Sequence, residues 1–364
     1  MPGKKKSGTL LRGWKGKARV DVSRVPKWWL TQPEETERFL RSLRGVKVWE
    51  IGRSAGGRPI IAAAWGPRED LPGRTALSLA SAISGGKPEA FYGVGKRKRP
   101  GFLFLGNAHG IEFEGTVAAL NFLNVVVTGR DLRGRAWPEL QKAGRRLRIV
   151  IIPHFNIDGR ERYARVKHFI NVHPDESRRI SQGDWKSGEK LVWPTSKLHW
   201  PLPVDKIAPL GGYFNDAGVN LVYDNGLTAD FQPETRALLE FLREERPDAA
   251  LLSHTDNGSL VCEPSSYIPA AFRQRQLQIS ALAGARCKRE GMSKFRMAKN
   301  VEGYAGQVFY QADLVYHACG ALPLLVEFPC GYQNLPDNFN DILDIGMYVI
   351  EEIVRFGVDY GFRP

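Results

Sequence analysis

Nowhere does the sequence sustain the ~20 consecutive apolar residues that a membrane-crossing helix needs, so a bilayer span is not expected. The basic start, Met1-Pro-Gly-Lys-Lys-Lys-Ser-Gly, lacks an apolar stretch and a small-residue cleavage site behind it. Sec-type secretion is therefore not expected, and the expected location is cytoplasmic. Cysteine is scarce: Cys262, Cys287, Cys319 and Cys330 are scattered, with no CxxC pair. That argues against both a disulfide framework and a cysteine zinc site, and leaves buried free thiols as the expectation. Internal repeats are absent, and so are zinc-finger, helix-turn-helix and RNA-binding fingerprints. Without them, the net charge of +13 does not by itself make nucleic acid the expected partner. Lys4, Lys5, Lys6, Arg12, Lys15, Lys17 and Arg19 read as a solvated, disordered arm over residues 1–20. Lys96-Arg-Lys-Arg99 reads as a charged loop.

What remains is ordinary globular composition, 43% hydrophobic and 25% charged over 364 residues, enough for one large core over residues 21–364. Thr31 and the acids behind it open a helical stretch to about Leu43, with Thr31 placed as its N-cap. Val46–Ile51 and Pro59–Ala64 flank the turn Ser54-Ala-Gly-Gly57 as a hairpin. The turn is a weak phosphate signal, because no helix follows it. Beyond, short apolar runs alternate with helical periodicity. Strands are expected at Gly101–Leu105, Leu147–Pro153, Ala249–Ser253 and Leu322–Phe328. Helices are expected at Thr116–Val127, Pro233–Arg246, Phe272–Arg289 and Asn338–Phe356. This order predicts an α/β fold, a mixed, mainly parallel twisted sheet between helical layers.

In such folds chemistry gathers where strands end. Four ends carry polar residues: His109 with Glu112, Asn156 with Asp158, His254, and Glu327. Between them, residues 165–216 are rich in Pro, Trp and Lys and weak in periodicity. They read as a long loop over the active-site mouth. His109-Gly-Ile-Glu112 sets an imidazole and a carboxylate three residues apart just past a strand, and a later histidine can complete a set of two His and one Glu with an open fourth position. An isolated HxxE also serves simply to cap the following helix. Glu114 is the competing carboxylate and is expected to be exposed. His154, at a strand end, is expected to be a hydrogen-bonded structural residue.

Five segments in order turn that pattern into a specific one. They are Glu50-Ile-Gly-Arg-Ser-Ala-Gly-Gly-Arg-Pro-Ile60, Gly106-Asn-Ala-His-Gly-Ile-Glu-Phe-Glu-Gly115, Pro153-His-Phe-Asn-Ile-Asp-Gly159, Gln232-Pro-Glu-Thr-Arg236 and Leu325-Val-Glu-Phe-Pro329. From about residue 46 onward the chain resembles the zinc carboxypeptidase family of metallopeptidases. The resemblance implies one zinc ion held by His109, Glu112 and His254, with Glu327 as the base that takes a proton from zinc-bound water. It also implies a cation beside the oxyanion, for which Arg165 is chosen over Arg160, Arg162 and Lys167. Tyr304 corresponds to the family's mobile substrate-binding tyrosine, with Tyr310 and Tyr316 as rivals. The implied substrate is a peptide or small amide; oligomeric state stays open.

The resemblance breaks at Gly218-Val-Asn-Leu-Val-Tyr-Asp-Asn225. Family members with carboxypeptidase activity read Gly-Val-Asp-Leu-Asn-Arg-Asn-Phe there, and their Asn-Arg pair clamps the substrate's terminal carboxylate. Val222 and Tyr223 cannot make that bidentate contact. Asn220 stands where the family has an Asp that steadies a zinc histidine; its amide oxygen can still accept from imidazole. Amide hydrolysis without strict C-terminal specificity is thus the expected activity. The alternative is a non-catalytic metal-binding protein of the same fold that binds an anionic partner.

Overall fold

The computed structural model describes residues 25–70, 97–170, 172–193, 196, 200–225, 230–256, 265–292, 309–331 and 338–364. The chain runs α1 (Pro33–Ser42), β1 (Val46–Arg53), β2 (Pro59–Trp65), β3 (Gly101–Leu105), α2 (Glu114–Thr128), α3 (Pro138–Gly144), β4 (Arg148–Ile152), α4 (Ile157–Arg162) and α5 (Pro174–Gln182). It continues through β5 (Gly183–Trp185), β6 (Ile207–Leu210), α6 (Pro233–Glu245), β7 (Ala249–Asp256), α7 (Ala270–Arg289), α8 (Gln311–Cys319), β8 (Leu322–Pro329) and α9 (Phe339–Tyr360).

The main sheet has the order β1-β2-β4-β3-β7-β8. Its last four strands are parallel, and the β1–β2 hairpin adds an antiparallel edge. This is the mixed, mainly parallel sheet that the alternation of elements predicts.

The two faces of the sheet follow from period-2 alternation. On one, Phe102, Phe104, Leu251, Leu324 and Val326 pack with Leu120 and Leu123 of α2, Ile279 and Ala283 of α7 and Val349 and Ile353 of α9. On the other, Leu103, Leu105, Ala250, Leu252 and Leu325 meet Leu238 and Leu242 of α6 and Val315 and Cys319 of α8. Strands buried on both faces carry apolar residues at every position, which is why β3 reads as an unbroken run.

Three expectations need correction. Gln32, not Thr31, is the N-cap of α1, and it makes no side-chain cap; Thr31 is buried instead. The stretch 165–216 is not structureless. It holds α5 and the β5–β6 ribbon, pinned around a small core of Leu191, Leu202, Ile207 and Phe214. Glu114 is 2% exposed, not on the surface. Cys287 and Cys319 are buried free thiols as expected and Cys330 is buried, while Cys262 lies outside the described residues. Among the described residues, no helix is long and apolar enough to cross a membrane.

Candidate metal centre

The carboxyl ends of the parallel strands deliver the polar groups. β3 ends at Leu105, and the turn behind it is organised by Asn107, a non-glycine residue at φ 51°. Asparagine tolerates this left-handed conformation better than most residues. Its oxygen accepts from Thr116 Oγ1 at 2.9 Å and lies 2.8 Å from His154 Nδ1, while its amide reaches back to the carbonyls of His109 and Gly110. Gly110 then packs so tightly under α4 that an added Cβ would lie 2.3 Å from the backbone of Gly159 and Arg160. The loop is thereby fixed on both sides of His109.

His254 continues the alternation of Ala250 and Leu252 along β7, and Glu327 continues that of Leu325 along β8. The two are register partners in adjacent parallel strands. Their side chains therefore leave the same face of the sheet as neighbours.

Glu112 lies between both imidazoles, with its Oε1 2.9 Å from His109 Nδ1 and its Oε2 3.1 Å from His254 Nδ1. The backbone N–H of Thr255 donates to Oε2 at 3.2 Å. The candidate ligand atoms of His109, Glu112 and His254 all fall within 4.8 Å of one another, and all three residues are buried. A tetrahedral zinc with bonds of about 2.1 Å sets its ligand atoms roughly 3.4 Å apart, so the spacing is on the scale of one small cation. Two nitrogens and a carboxylate oxygen are also a donor set that zinc accepts.

Asn220 decides which nitrogen of His109 faces inward. Its Oδ1 accepts from the Val222 backbone N–H at 3.1 Å, which fixes the amide's orientation, and lies 3.2 Å from His109 Nε2. Nε2 thus carries the proton, and Nδ1 keeps its lone pair for the centre.

Charge follows geometry. Burial pushes the His109 imidazole down, against the pull of Glu112. Burial also opposes charge on His254, but its hydrogen bond and attraction to Glu112 outweigh that and raise it. Burial alone would lift the Glu112 carboxyl; the two imidazoles overcome it and hold the carboxyl well below its usual range. Behind the site, burial pushes Glu114 up to about 8, with the Thr255 hydroxyl donating to it at 3.0 Å.

The segment behind α5 supplies an unforeseen residue. The ring of Tyr213 stacks on His109, with centroids 3.8 Å apart and planes 10° from parallel. Burial first, then the neighbouring Glu112 charge, raises its phenol well above the usual range. Asn156 holds the backbone there, donating to the carbonyls of Tyr213 and Gly212 while its oxygen caps α4 at Gly159. Nothing in the local pattern beyond the preceding Gly211-Gly212 marks Tyr213, because its partner is 104 residues away in the chain.

The arginines after Asn156 differ sharply. Arg160 is fully buried and donates to the carbonyls of Tyr163 and Val166, with its guanidinium over the Phe113 ring. Arg162 pairs with Asp216 at 2.5 Å. Arg165 is exposed. His154 is the hydrogen-bonded structural histidine expected, with Nε2 3.1 Å from Thr36 Oγ1. Tyr304 lies outside the described residues. Its rivals Tyr310 and Tyr316 are buried.

Comparison with known proteins agrees with this arrangement. Residues 40–190 match the family profile of the zinc carboxypeptidases. A metallo-carboxypeptidase from Burkholderia cenocepacia superposes with a TM-score of 0.54 at 17% identity, covering 89% of this chain and 68% of its own. The fold is that of the metallo-carboxypeptidases. The carboxypeptidase A of Helicoverpa armigera (TM-score 0.51, 16% identity, 94% and 76% covered) shares this carboxypeptidase fold. So does a metallo-carboxypeptidase of Pseudomonas aeruginosa (0.52, 14%, 89% and 68%). No curated protein sequence matches significantly. The profile match takes in His109 and Glu112 but stops short of His254 and Glu327.

Proposed function

We propose that this protein is a zinc-dependent hydrolase of amide bonds, with His109, Glu112 and His254 as the metal ligands and Glu327 as the general base. The observation that carries it is the convergence of two imidazoles and a carboxylate from β3 and β7, with Glu327 in register beside His254. When bound, zinc supplies a Lewis acid that polarises a carbonyl and acidifies an adjacent water.

The protein's own groups do the rest. Asn220 and Tyr213 hold the His109 ring in the plane that aims Nδ1 at the centre. Thr255 fixes one oxygen of Glu112. The Glu327 carboxylate accepts a proton from the attacking water and delivers it to the leaving nitrogen, the usual double duty of a general base and acid. Arg165, exposed and near α4, is proposed as the cation that meets the developing oxyanion. Tyr304 is proposed to contact substrate. Residues 21–364 are proposed as the single catalytic domain.

Glu327→Gln tests the reading. Zinc content should stay at one ion per chain while turnover of a peptide or amide substrate drops at least 10³-fold, since the base is removed and the ligands are kept. Undiminished turnover would remove Glu327 from the mechanism. One zinc per chain with no chelator-sensitive turnover of any amide in wild type would leave a metal-binding protein without catalysis.

A further inference from the structure

β7 outruns one of its neighbours. It pairs with β3 only as far as Leu252, opposite Leu105, whereas its pairing with β8 continues to Asp256. His254 therefore sits on an overhang, Ser253–Asp256, one edge of which has no β3 backbone beside it. Backbone N–H groups on such an edge need partners from elsewhere. A metal ligand, moreover, has to be held to within about half an ångström. Something other than the sheet must hold the overhang.

The first turn of α2 does so. Ser253 and Thr255 flank His254 and, by period-2 alternation, leave the opposite face of the sheet, the face that α2 covers. Gly115 meets Ser253 so closely that an added Cβ would lie 2.3 Å from the Ser253 Cβ. Beside it, Glu114 Oε2 accepts from the Thr255 hydroxyl at 3.0 Å. The backbone N–H of the same threonine donates to Glu112 Oε2 at 3.2 Å. Two carboxylates, Glu112 and Glu114, thus grip one residue, the first by its main chain and the second by its side chain. That residue directly follows His254. Glu114 is 2% exposed, and its Oε1 has no hydrogen-bond partner among the described residues. Burying a carboxyl that is satisfied at one oxygen costs more than burying an apolar side chain of similar shape. A first-turn acid steadies a helix from the surface, so capping α2 does not call for this burial.

We propose that Glu114 and Thr255 form a positioning clamp for the metal centre, setting the spacing between His254 on its strand and His109 and Glu112 on their loop, and with it the affinity for a divalent cation such as zinc. Both residues act through the ligands on either side of them. This rests on the ligand set proposed above and adds the residues that hold its two halves together.

Zinc affinity by chelator competition, on the full chain, tests the clamp, with thermal unfolding of the metal-free protein alongside. Thr255→Val keeps the shape and the backbone N–H but removes the hydroxyl, and affinity should fall about tenfold or more. Thr255→Ser restores the hydroxyl and Glu114→Gln keeps an accepting oxygen, so both should stay within about threefold of wild type. Glu114→Met should lose about tenfold. Combined with Thr255→Val it should lose no more than the worse single change, because the two break one contact. Wild-type affinity in Thr255→Val, a serine variant no better than the valine, or losses that multiply in the double variant would each overturn the clamp. So would a lower Tm with zinc affinity intact, the mark of a pair that only supports the fold. If the wild type takes up no zinc, the ligand set fails and the clamp with it. One zinc held equally well by wild type and Thr255→Val sinks the clamp alone. None of these readouts is turnover, so the role of Glu327 is judged separately.

Discussion

Asp158 is the buried charge on which the surroundings of the site turn, and its removal has a calculable cost. The carboxylate is completely buried. It accepts from Ser54 Oγ at 2.6 Å, Arg58 Nη1 at 2.7 Å, Gly56 N at 2.9 Å and Asp216 N at 3.1 Å. These donors come from the β1–β2 turn and from the segment carrying Tyr213, so one side chain joins three parts of the chain. At about 1.5–3 kcal/mol per hydrogen bond to a charged group, the four total roughly 6–12 kcal/mol. The Arg58 side chain is 37% exposed and keeps Asp216 as a second partner at 2.6 Å, so its share is small after solvent screening. Ser54 can turn its hydroxyl elsewhere.

The two backbone N–H groups cannot move, and Asp158→Ala should therefore cost about 3–5 kcal/mol. With an unfolding entropy of roughly 0.8 kcal/mol/K for a chain of this length, Tm should fall by about 4–6 °C. Asp158→Asn should cost nearly as much, because its amide nitrogen would face donors. Arg58→Met should cost about 1 kcal/mol or less. Urea and thermal unfolding of the three variants give the order directly. A loss below about 1 kcal/mol for Asp158→Ala, or a larger loss for Arg58→Met, would refute the reasoning.

Two further outcomes follow from the same structure. Burial drops the His154 imidazole to about 3, so below pH ~6.5 the unfolded chain takes up a proton that the folded chain refuses. Its contribution is whole above that pH and is lost on acidification at up to ~1.4 kcal/mol per unit. His154→Gln should flatten stability against pH between about 6.5 and 4, and parallel curves for the two proteins would contradict this. Gly110→Ala forces a methyl into the backbone of Gly159 and Arg160, where no flexible side chain can yield. It should destabilise by roughly 2–3 kcal/mol and weaken zinc binding about tenfold or more in a chelator competition. Wild-type zinc affinity in that variant would show that the turn does not position His109.

Much of the molecule was legible in its letters. β3, β4, β7 and β8 are short apolar runs because a parallel sheet buried on both faces demands apolar residues at every position. The polar residues that interrupt those runs, His254 and Glu327, announce themselves for the same reason. Some of the secondary structure was not legible. α3 and α8 fall among residues whose periodicity is too short to register, seven and nine residues long. The ribbon of Gly183–Trp185 and Ile207–Leu210 pairs across a loop that no local rule closes.

The sequence by itself determined the layered α/β class, the strand ends where chemistry collects, and the residue types able to hold a cation, because these rest on hydrophobic periodicity and donor chemistry that are local properties of the chain. Only the tertiary structure decided that Glu112 stands between two imidazoles 145 residues apart, that Glu114 is buried and not exposed, and that Tyr213 lies flat on His109. Those facts depend on strand order and on where a long excursion returns to the sheet, and contacts between distant segments leave no periodic trace in the segments themselves.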